Sequence, residues 1–104
     1  DIFQMDPGLS YGLTEYAAIL ADLESAGFNR RECWPHGGHL INLHTAIGLE
    51  LGGCEAYPGV FQPFGGYSDA CGIEDGSVTA PSAPGFGLET KPELIHHLKE
   101  LRGD

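Results

Sequence analysis

Short apolar segments alternate with helical periodicities through the first 59 residues, and this alternation constrains the fold more than any other feature. Ile2-Phe3-Gln4-Met5 reads as a strand, closed by Asp6-Pro7-Gly8. Tyr16, Ile19, Leu20 and Leu23 then recur at helical spacing, with Thr14 as the N-cap, Glu15 in the first turn and Gly27 as the terminating residue. Glu32-Cys33-Trp34 forms a second strand candidate, closed by Pro35-His36. A second helix is predicted from near Gly38, with Leu40, Leu43, Ile47 and Leu51 on one face and Gly52-Gly53 at its end. Cys54-Glu55-Ala56-Tyr57 is the third strand candidate, closed by Pro58-Gly59. Strand–helix alternation of this kind predicts an α/β fold with parallel strands and crossover helices. Three such strands and two helices cannot close a barrel or cover both faces of a sheet, so residues 1–59 are expected to belong to a larger unit.

Composition changes after Pro58. Residues 60–89 are rich in Gly and Pro and are predicted to be largely irregular, with Phe61, Phe64 and Tyr67 around Gly65-Gly66. A long irregular stretch is uncommon unless it serves function. Within it Asp75-Gly76 is a turn signal and Ser77-Val78-Thr79 a short strand. In residues 90–104, Thr90, Lys91 and Pro92 read as a cap and first turn. Leu94, Ile95, Leu98 and Leu101 then form the apolar face of a last helix, and His96 and His97 lie off that face as solvated surface.

Charge and cysteine content narrow the function classes. A formal net charge of −10 with 5 Lys and Arg residues argues against nucleic-acid binding, which needs a basic face. No apolar run is long enough to span a bilayer, so no membrane partner is expected. Cys33, Cys54 and Cys71 are odd in number and widely spaced. That favours free thiols in a reducing compartment and leads to the expectation of a cytoplasmic protein.

The residues that carry chemistry stand at the predicted strand ends. Asp6 follows the first, His36 the second, and Glu55 lies within or at the end of the third. In parallel α/β folds the loops at the carboxyl ends of strands build the site. Adjacent strands are about 4.8 Å apart, so side chains from neighbouring ends can meet. An aspartate beside a histidine can accept the Nδ1 proton and fix the tautomer, leaving the other nitrogen for proton transfer. The competing structural reading makes His36 a helix cap and Asp6 a turn residue before Pro7. His36, His39 and His44 do not have zinc-site spacing, because His39 and His44 are five apart on a helix. His39 and His44 are expected as packing or supporting groups. No G-x-G-x-x-G follows a strand, so no dinucleotide fingerprint is present.

Taken in order, Phe3-Gln4-Met5-Asp6, Gly12-Leu13-Thr14-Glu15 and Pro35-His36 resemble the mandelate racemase subgroup of the enolase superfamily. The tail Pro81-Ser82-Ala83-Pro84-Gly85-Phe86-Gly87-Leu88 is similar to that family's P-x-x-P-G-x-G ending, and the Pro-His-Gly-Gly-His stretch looks closest to its acid-sugar dehydratases. The resemblance implies the last strand–helix units of a TIM-type (β/α) barrel, followed by a C-terminal segment that packs on a capping domain. It implies His36 and Asp6 as a catalytic dyad and Glu55 as a substrate-binding group, its carboxyl donating to a substrate carboxylate if protonated. It also implies a Mg²⁺ cofactor and a lysine base, both held by earlier strands. No lysine of this sequence stands in the family's K-x-K motif, and no metal ligands are expected in this chain. The implied partners are a small-molecule sugar acid, the remaining portion of the same enzyme and further copies in a homo-oligomer. A racemase or epimerase on the same scaffold, a non-enzymatic module binding through the Phe61–Tyr67 loop, and a small histidine metal-binding protein are the alternative readings.

Overall fold

The computed structural model describes residues 1–68 and 70–104. Helix α1 spans Leu13–Ser25 and α2 spans Leu40–Gly48. A two-stranded hairpin follows, β1 at Ile73–Glu74 and β2 at Ser77–Val78, and α3 at Pro92–Arg102 ends the chain. Single 3-10 turns sit at Arg30–Glu32 and Leu88–Thr90. No helix is long and apolar enough to cross a membrane among the described residues.

The first two predicted strands lie side by side and parallel. Phe3 N–H donates to Glu32 O at 2.8 Å, Trp34 N–H to Phe3 O at 2.9 Å, and His36 N–H to Met5 O at 3.3 Å. The third segment joins the far side of the second, with Gly52 N–H donating to Cys33 O at 3.1 Å and Glu55 N–H to Pro35 O at 3.5 Å. The expected strands are nevertheless not regular ones: their pairing reduces to the Phe3–Cys33 bridge. Proline gives one reason. In a parallel ladder the residue two beyond the acceptor Cys33 donates back to the partner strand, and that residue is Pro35, which has no N–H.

Helix α1 buries Tyr16 and Leu20. It begins one residue before the expected cap Thr14, because Gly12 at φ 101° turns the chain into it, and Tyr16 N–H reaches Gly12 O at 3.1 Å. Gly27 ends it as predicted, at φ 91°, with Phe28 N–H donating to Leu23 O and Gly27 N–H to Glu24 O, which is a Schellman closure. Helix α2 starts beside Gly38 as its sequence pattern predicts, with His39 as the cap, but stops short of the predicted end at Gly52-Gly53. Glu50, at φ 56°, takes the left-handed position, and Leu51 N–H returns to Ala46 O at 2.9 Å. Leu51 is thereby folded inward, while Ile47 is left half exposed.

One core cluster gathers Tyr16, Leu20, Cys33, Ala46 and Leu51, so α1 and α2 both pack on the second extended segment. Another gathers Leu40, Leu43 and Cys71, with Val78 of the hairpin and Leu88 against it. Cys54 touches both clusters. Within the stretch 60–89 the hairpin stands at the predicted turn and short strand, and Asp75 and Gly76 both have positive φ as its two-residue turn requires. In α3 Leu94 alone is buried; Leu101 of the expected apolar face is 80% exposed.

Candidate active site

Asp6, His36 and Glu55 meet at one end of the three extended segments. His36 Nδ1 stands 3.7 Å from Asp6 Oδ2, and His36 Nε2 stands 4.0 Å from Glu55 Oε2. The imidazole is therefore placed between two carboxylates supplied by the segments on either side. Its ring is half exposed, whereas Asp6 is 16% exposed.

Each side chain is held by local structure. Asp6 Oδ1 accepts from Gly8 N–H at 2.7 Å, which closes a turn and leaves Oδ2 for the histidine. Asp6 is thus both the turn residue and the histidine's neighbour. The backbone of His36 is clamped by Asn42, fully buried on α2, whose Nδ2 donates to His36 O at 2.6 Å and to Gly37 O at 2.8 Å. Helix capping is not the task of His36. That task falls to His39, whose Nδ1 accepts from Asn42 N–H at 3.3 Å. Gly38 permits the tight crossing beside them, since a Cβ there would stand 2.4 Å from Tyr57 N.

Glu55 is surrounded by donors. It accepts from Gly37 N–H at 2.7 Å, from Tyr57 Oη at 3.0 Å and from Gln4 Nε2 at 3.3 Å. The Gly37 N–H, then the Tyr57 hydroxyl, the nearby His36 and the Gln4 amide, hold its carboxyl below the usual glutamate range, outweighing desolvation. In the free protein Glu55 is consequently an ionised acceptor. The protonated state needed for it to donate to a substrate carboxylate is disfavoured, because every polar neighbour rewards the charge.

A cavity of about 250 Å³ opens over this end of the chain, lined by Asp6, His36, His39, Tyr57, Phe61 and Phe64. It is somewhat below the size of drug-sized ligand pockets, so it suits a smaller molecule. The aromatic wall comes from the 57–66 loop, which is tied down by Gly66 N–H donating to Gly38 O at 2.6 Å and by Lys91 Nζ donating to Gly65 O. Lys91 is buried, and desolvation, the largest influence, pushes its pKa down.

The remaining histidines lie outside this arrangement. His44 packs edge-on against Phe86 with ring centroids 5.7 Å apart, and its buried Nε2 has no protein partner among the described residues. His96 and His97 are exposed and face Glu100 at 3.3 Å each. Sequence reasoning missed Asn42, Gln4 and Tyr57. For Asn42 a signal existed: it stands three residues after the cap, where a polar side chain can reach back across the helix start.

No group of three or more His, Cys, Asp and Glu side chains is arranged to hold a metal ion among the described residues. The dyad region does not fit the implied Mg²⁺, which demands octahedral oxygen coordination, because an imidazole stands between its two carboxylates. No protein-family model matches the chain.

Proposed function

We propose that this chain supplies the general-acid half of a hydro-lyase site acting on a small sugar acid, as the carboxyl-terminal portion of a dehydratase like those that act on D-tartrate. The architecture this reading calls for is the last units of a (β/α) barrel, in which Asp6 and His36 occupy successive strand tips. The observation that carries it is the 3.7 Å approach of Asp6 Oδ2 to His36 Nδ1, with His36 half exposed at the mouth of the cavity and relieved of capping duty by His39.

In this reading a base outside the 104 residues removes the proton next to the substrate carboxylate. His36 gives a proton to the departing β-hydroxyl, which leaves as water. The enol that remains tautomerises to a 2-keto acid, oxaloacetate if tartrate is the substrate. Asp6 holds the imidazole tautomer and balances its charge during the transfer. Glu55, as an acceptor, takes a hydrogen bond from a substrate hydroxyl instead of donating to its carboxylate.

The test is 2-keto acid formation from tartrate stereoisomers by the enzyme that carries this sequence, with and without His36→Asn. Loss of product in the variant, with unchanged unfolding temperature, supports the reading. Inversion at carbon with no keto acid would assign a racemase or epimerase instead. Unchanged turnover in the variant would remove His36 from the chemistry.

A further inference from the structure

The cavity holds few groups able to recognise a carboxylate. Of its polar lining residues, Asp6 is an acceptor, and the Tyr57 hydroxyl is already given to Glu55 at 3.0 Å. The His36 ring faces Asp6 and Glu55. His39 is different. Its Nδ1 accepts the Asn42 backbone N–H at 3.3 Å, which requires a lone pair there and places the ring proton on Nε2. Among the described residues that Nε2 has no hydrogen-bond partner, and an added Cβ at Gly37, another lining residue, would lie 3.3 Å from it.

We infer that His39 is a substrate-binding residue, its neutral Nε2–H donating to a carboxylate of the bound sugar acid while its Nδ1 caps α2. The inference rests on the reading of this cavity as a sugar-acid site and gives the carboxylate a partner that ionised Glu55 is not. Burial, the largest influence on this ring, supports the neutral form, and Lys91 acts in the same direction while Asp6 opposes them. A neutral donor suits the place. It binds an anion without adding a second proton source beside His36, so the roles of binding and acid catalysis stay on separate imidazoles.

The test uses the ¹⁵N-histidine-labelled enzyme that carries this sequence, titrated with D-tartrate, L-tartrate and, as an uncharged control, erythritol. The expected result is a spectrum with Nε2 of His39 protonated and Nδ1 bare, and a saturable response of that Nε2 to a tartrate but not to erythritol. His39→Ser is the informative variant, because serine is a favoured N-cap whose short side chain retains the helix and cannot reach the place of Nε2 in the cavity. It should keep the unfolding temperature and weaken tartrate binding about tenfold, as befits a lost hydrogen bond to a charged group. A protonated Nδ1, an equal response to erythritol, or a tartrate response confined to His36 would overturn the role of His39 and leave the dyad reading standing. Silence of both His36 and His39 towards every tartrate would overturn the two together.

Discussion

Asp6 offers its two carboxylate oxygens to different partners: Oδ1 to the backbone N–H of Gly8 at 2.7 Å, and Oδ2 to the imidazole of His36 at 3.7 Å. An asparagine keeps the first oxygen and removes the charge facing the second. Asp6→Asn is therefore expected to leave the unfolding temperature nearly unchanged while lowering turnover of the whole enzyme by about 10²-fold or more, with a displaced pH profile. Paired melting and keto-acid assays check both halves.

Glu55 makes stability depend on acid. Its folded pKa is depressed, chiefly by the Gly37 N–H, so its contribution is complete above the ordinary glutamate range and is lost as pH falls through the lower folded value. Unfolding followed between roughly pH 6 and pH 3 should show wild type losing stability on acidification. Glu55→Gln should be less stable at neutral pH, and the gap should narrow towards the acid end. Parallel curves for the two proteins would contradict this.

Two glycines at opposite ends of α2 should respond oppositely to alanine. At Gly38 a Cβ would meet backbone atoms of Ala56 and Tyr57 at 2.4 to 2.7 Å, and backbone cannot step aside cheaply. Gly38→Ala should cost about 2 kcal/mol or more. Gly48 is the last residue of α2, has ordinary φ and meets nothing within 4 Å. Gly48→Ala should stabilise by about 0.4–1 kcal/mol. Denaturant midpoints of the two variants measure the contrast.

Asn42→Ala removes the clamp on the backbone of His36 and Gly37. Two carbonyls lose a donor within a buried setting, which should cost about 1–3 kcal/mol. The more specific outcome concerns aim. A double-mutant comparison of Asp6→Asn in the wild-type and Asn42→Ala backgrounds, read through turnover of the whole enzyme, should show Asp6 mattering less once Asn42 is gone.

Much of this was legible in the chain, for identifiable reasons. Tyr16, Leu20 and Gly27 announced α1 because helical burial and left-handed closure leave marks within one turn of sequence. The meeting of Asp6 with His36 followed from alternation, since parallel neighbours place successive segment tips together. The start of α2 beside Gly38 was legible although its cap is a histidine, which propensity does not advertise; its end was misread because the stop is Glu50 in a conformation normally left to glycine, while Gly52-Gly53 supplies the more obvious punctuation. Regular pairing of the second and third segments was overread because Pro35 cannot donate back to the third, which hydrophobic pattern alone does not show. What holds Glu55 so firmly in its charged form was hidden altogether. It depends on an N–H at Gly37, eighteen residues away, that only the folded chain brings into reach.

The shared duty of Asp6 has a mechanical corollary. The turn it closes leads into a surface loop where Leu9 is 79% and Tyr11 96% exposed, with Tyr11 itself at φ 60°. One carboxylate thus serves both that outer bend and the imidazole. A residue without a side-chain acceptor in place of Asp6 would release the two together.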